Sequence, residues 1–83
     1  MKNTNKKTFQ TDSFQLASFL LSESFPIISI DRSNPRRIVF VFEESDKRIE
    51  TTEMFLAHKT VVEPHKLYSA QRDIKQMIYD SKS

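Results

Sequence analysis

Two histidines, His58 and His65, are the only imidazoles in the chain, and they stand seven residues apart on either side of the Glu63-Pro64 break. Zinc asks for three or four nitrogen, sulfur or oxygen ligands in a closed set, and neither a His-Glu-x-x-His run nor any cysteine is present. No metal is expected. As general bases the histidines lack an activated nucleophile, because Ser69 falls inside a helical pattern and no strained turn presents a serine. Glycine is absent as well, which removes the phosphate-cradling loops and the dinucleotide fingerprint that need close backbone approach. Glu43, Glu44 and Asp46 precede a helix, where carboxylates oppose the positive end of its dipole. Neither catalytic residues nor a cofactor is expected, and the protein reads as a non-enzyme.

Binding chemistry is better represented. Arg32, Asn34, Arg36 and Arg37 fall within six residues at a predicted hairpin tip. A basic β-ribbon tip can follow phosphates, with arginine supplying paired hydrogen bonds. The formal net charge of +2 is uneven: Lys2, Lys6 and Lys7 precede any acid, whereas residues 11–83 carry ten basic and eleven acidic side chains. Lys6 and Lys7 would add long-range, salt-dependent attraction to a polyanion. A second polar set, Gln71, Arg72 and Lys75, lies on the last predicted helix, where Arg72 and Lys75 share a face. Packing does not demand Gln71 or Arg72, so this set is a candidate partner surface.

The elements that must carry these residues follow from apolar spacing. Phe14, Ala17 and Leu21, widened by Leu16 and Leu20, predict a helix ending near Ser24, with Asp12 and Gln15 at capping-box spacing. Phe9 is expected to staple the start of that helix. Pro26 then opens an extended run in which Ile28 and Ile30 face one side and Ile27, Ser29 and Asp31 the other. After the turn at Ser33-Asn34-Pro35-Arg36, Ile38, Phe40 and Phe42 should face the core and Val39 and Val41 the opposite side. Ser45 or Asp46 caps a second helix with an inward stripe of Ile49, Thr52 and Leu56. Thr60-Val61-Val62 is β-branched and should extend. Pro64 begins a third helix with Leu67, Ala70, Ile74, Met77 and Ile78 at helical spacing.

The segments from Thr11-Asp12 to Leu20-Leu21, from Phe25 to Arg32 and from Arg37 to Glu44 together resemble a family of small uncharacterised bacterial and phage domains. Val61 to Pro64, then Ala70 to Lys75 and Ile78-Tyr79, resemble the same family's C-terminal helix. Ser24 stands where that family typically has glycine. The resemblance implies one fold unit and a phage or mobile-element setting, and no activity.

With 37% hydrophobic and 29% charged residues the composition fits a globular chain rather than a disordered one. No apolar run reaches the ~18 residues that span a bilayer. The absence of cysteine fits a cytoplasmic setting. The expectation is a small single α+β domain of order α-β-β-α-α, three helices on a two-stranded antiparallel hairpin, spanning residues 11–83 behind a flexible basic arm at 1–10. Its expected function is a non-enzymatic accessory protein that contacts nucleic acid, without sequence preference, or a nucleoprotein complex through the hairpin tip. The alternative is a protein-interaction or self-assembly module that dimerises through an apolar outer face of Ile27, Val39 and Val41.

Overall fold

The computed structural model describes residues 7–80. Its elements run β1 (Thr8–Thr11), α1 (Phe14–Ser22), β2 (Ile27–Asn34), β3 (Arg37–Glu43), α2 (Asp46–Leu56) and α3 (Pro64–Asp80). The α+β class and three helices are as expected, but the sheet has three antiparallel strands in the order β1-β3-β2. The added strand falls partly on residues read as the flexible arm. Thr8-Phe9-Gln10-Thr11 has β-branched ends but a single apolar residue, so its alternation of exposed and half-buried positions leaves little sequence signal beside the lysines that precede it. Phe9 pairs with Phe42, so it joins the core instead of stapling α1. Lys2 and Lys6 lie outside the described residues.

One sheet face packs against the helices. Phe40 and Phe42 of β3 meet Leu16, Ala17, Phe19 and Leu20 of α1 and Ile74 of α3, all buried. Full burial of such side chains stabilises by roughly 1.5–3 kcal/mol each. Ile38, Phe40 and Phe42 face inward and Val39 and Val41 outward, as their alternation predicts. In β2 a register shift between Ile27 and Ser29 corrects the alternation. The extra residue turns Ile28 out, 55% exposed, and leaves Ile27 opposite Phe42 on the core side.

Helix ends follow from local chemistry without glycine. Ser13, not Asp12, caps α1, its hydroxyl accepting the Leu16 N–H at 3.1 Å. Ser45 caps α2 in the same way through the Arg48 N–H at 3.0 Å. Both helices end in a left-handed residue, Ser24 (φ 74°) and His58 (φ 58°). In each case its own amide and the next bond back: Ser24 to Leu21 and Phe25 to Leu20, then His58 to Phe55 and Lys59 to Met54. The Glu63 carboxylate accepts the His65 N–H at the start of α3.

The inward face of α2 differs from its apolar stripe. Arg48 and Thr52 are buried, and Ile49 and Leu56 are turned outward. Arg48 can be buried because each of its three guanidinium nitrogens donates a hydrogen bond. Its Nε and Nη2 each donate to Glu44 at 2.7 Å, and its Nη1 donates to Thr52 at 3.0 Å. Its plane lies 3.7 Å from the Phe9 ring centre. This cluster ties β1 to α2, and Phe55 joins α2 to α1 separately by stacking on Phe19 at 4.8 Å.

Candidate docking surface

The hairpin tip does not present three free guanidinium groups. Arg32 is half-buried and donates to the Ile78 carbonyl near the end of α3, where a cation suits the helix's negative pole. Arg37 pairs with Asp12 through Nε at 2.8 Å, both side chains largely exposed. Asn34 is occupied locally, its Oδ1 accepting the Arg36 N–H at 2.9 Å. Only Arg36 among the three arginines has a side chain with no hydrogen bond or ion pair among the described residues. Beside the tip, the Ser33 N–H holds the Asp31 carboxyl below its ordinary pKa. Lys7 is exposed, and its carbonyl accepts the Glu44 N–H at 3.0 Å.

The outer sheet face is not an apolar plane. Ile27 belongs to the opposite side. Val41 is only 9% exposed, lying opposite Gln10 and Ser29, and Val39 is half-buried opposite Asp31. Polar neighbours leave little valine surface for adhesion.

Exposed apolar surface gathers elsewhere. Among the described residues, five of the seven exposed large apolar side chains, Ile49, Met54, Leu56, Val61 and Tyr68, fall on the stretch from α2 through the connector to the first turns of α3. Val61 is 96% exposed, Leu56 66% and Tyr68 65%. Met54 and Val61 border a pit of about 190 Å³ over Phe19, and Phe19, Phe55, Val62 and Leu67 form a second of about 240 Å³. Gln15 of α1 and Gln71 of α3 stand at the second pit, so two primary amides face an otherwise apolar hollow. Of these residues Gln71 is a candidate partner residue from the sequence, whereas Leu56 is expected there on the inward stripe of α2 and Val61 in an extended connector. Val61 was detectable as a β-branched apolar residue in a connector with no strand to pair it.

From this pit the α1–α3 seam continues toward the tip. Lys75 lies one turn beyond Gln71, its Nζ 6.0 Å from the Phe14 ring centre. Past Phe14 a cleft of about 390 Å³ opens, with Ile38, Phe40 and Ile78 within and Arg36, Arg37 and Asp12 at its margin. The structure thus brings Arg36, Arg37, Gln71 and Lys75 along one seam. Arg72 is exposed on α3, Arg32 is held at the Ile78 carbonyl, and Val39 and Val41 lie on the outer sheet face.

On the other side of the seam a groove of about 430 Å³ holds His65, Ser69 and Asp73 at four-residue steps along α3. No side-chain hydrogen bond links these three among the described residues. No group of three potential metal ligands occurs among the described residues. No helix among them is long and apolar enough to cross a membrane.

The chain belongs to the family described as Domain of unknown function (DUF5659), whose family model matches residues 6–80. This agrees with the resemblance read from the sequence and takes in β1 as well as the hairpin and helices. No curated protein and no solved structure matches the chain.

Proposed function

We propose that this member of the family is a non-enzymatic protein-interaction module, docking a partner on the apolar surface formed by the end of α2, the 57–63 connector and the start of α3. The observation that carries this is a pair of pits that share Phe19, one bordered by the exposed Met54 and Val61, with Leu56 and Tyr68 exposed on the two helices that the connector joins. Apolar side chains so clustered mark interaction surfaces more often than singly scattered ones do. The class of function matches the alternative drawn from sequence, but the face is different. The inward turn of Ile27 and the polar neighbours of Val39 and Val41 leave Ile28 as the exposed apolar side chain of β2, whereas the burial of Arg48 turns Ile49 and Leu56 outward. A cytoplasmic, phage or mobile-element accessory role belongs to this proposal.

A tagged full-length chain tests it by co-purification. Val61→Asp and Leu56→Asp should lose the partner while their circular dichroism stays native, and Val39→Lys should retain it. Retention by both aspartate variants would end the proposal. A second reading, nucleic-acid contact at the tip, is favoured by Arg36, Arg37 and Lys75 around the Phe14 cleft. It requires anisotropy-detected binding to single-stranded DNA that weakens with salt and with Arg36→Ala/Arg37→Ala.

A further inference from the structure

We infer that the partner presents an acidic amphipathic segment lying along the α1–α3 seam, with a large apolar side chain in the pit at Leu67 and Gln71 and carboxylates against Lys75 and Arg36. This rests on the docking reading above and adds the chemistry and direction of what docks. Three observations fix it. The pit of about 240 Å³ has no charged residue among those lining it. That volume suits one leucine- or phenylalanine-sized side chain and falls below the ~300 Å³ of ordinary cofactor pockets. Gln15 and Gln71 can each donate and accept a hydrogen bond, which matches a peptide backbone rather than a charged group.

Charge appears only farther along. Leu67, Gln71 and Lys75 succeed one another at four-residue steps, so one helix stripe passes from apolar to amide to cation. From Leu67 to Ile78 the seam extends roughly 17 Å along α3. An extended segment covers that in about five residues, putting acids three or four places from the apolar anchor. Among the described residues neither Lys75, whose ammonium lies 6.0 Å from the Phe14 ring centre, nor Arg36 makes an ion pair, so neither must surrender one on binding. Asp12 at the far margin is neutralised by Arg37.

The test uses the full chain, nitrogen-15 labelled, in about 20 mM salt, where screening is weak. Its probes are acetylated, amidated Leu-Ser-Ser-Glu-Glu, the reversed Glu-Glu-Ser-Ser-Leu, both peptides with glutamine for glutamate, and oligothymidylate. One acidic peptide should shift the amides of Leu67, Gln71, Lys75 and Arg36. It should bind about fivefold tighter than its glutamine counterpart, the contribution of two exposed ion pairs. Lys75→Glu with Arg36→Glu should erase that advantage and leave the glutamine peptide's affinity unchanged. Equal binding of acidic and neutral peptides at the pit would overturn the acidic partner while leaving the docking surface standing, which the Val61→Asp co-purification tests separately. Shifts absent from the seam, or oligothymidylate bound there more tightly than the acidic peptide, would also overturn it.

Discussion

Arg48→Ala should be among the most damaging single changes in this domain, although it removes a charged residue. The guanidinium is 6% exposed, bonded twice to Glu44 and once to Thr52, and seated on Phe9. Truncation strands the Glu44 carboxylate and the Thr52 hydroxyl and uncovers the Phe9 ring. Breaking a fully buried pair costs ~3–5 kcal/mol. The Glu44 side chain keeps 26% exposure, so water recovers part of its solvation and this loss falls to about 2 kcal/mol. Losing the cation–π contact adds about 1 kcal/mol. A total near 3 kcal/mol is a large share of the ~4–12 kcal/mol expected for a domain of this length. Urea denaturation followed by circular dichroism measures it directly, and the thermal midpoint should drop on the order of 12–24 °C. Arg48→Met with Glu44→Leu should recover most of the loss, because an apolar pair leaves no charge stranded. A loss below about 1 kcal/mol for Arg48→Ala would refute the idea that this cluster fastens β1 to α2.

The same cluster has a pH signature. The hydrogen-bonded Arg48 holds the Glu44 carboxyl below its ordinary pKa, so its stabilisation is complete above about pH 4.3 and is lost as pH falls through the lower folded-state value. Denaturation series in acid should show this slope in the wild type and a shallower one in Arg48→Met. Ser24→Gly and His58→Gly should each raise stability by about 0.5–1 kcal/mol in thermal melts, since both sites are left-handed and glycine carries no Cβ penalty there; a lowered midpoint would contradict that. Phe42→Ala, at a fully buried site, should cost ~3–5 kcal/mol by the same denaturation assay. Val39→Lys should leave the molar mass by light scattering unchanged, and a wild-type dimer that it dissolves would restore the sheet-face alternative.

What could be read from the sequence was governed by periodicity. Phe14 to Leu21, Ile38 to Phe42 and Leu67 to Ile78 each repeat at the spacing of their element, and each buries the predicted face. Failures arose where one residue broke the period. The shift at Ile28 exchanged the facing of Ile27 and Ile28. Arg48 took an inward position that apolar counting awards to Ile49, because its partner Glu44 lies before the helix and Phe9 comes from a strand far earlier in the chain. β1 escaped notice because four residues next to lysines give little alternation to count. The tip arginines were visible as a cluster, but their partners Asp12 and Ile78 lie 25 and 46 positions away, beyond any local pattern. The proposed docking surface is hidden for a related reason: Leu56 counts toward the inward stripe of α2 and Val61 toward an extended connector, and only the burial of Arg48 shows that Leu56 lies outside.

Site-specific photo-crosslinking in cells tests the choice of surface most directly. A benzophenone amino acid would be placed at Val61, at Tyr68, at Arg36 or at Val39, one position per variant. Adducts to a second protein are predicted at Val61 and Tyr68, with none at Val39. Adducts confined to Val39, or nucleic acid captured at Arg36 with nothing at Val61, would contradict the account.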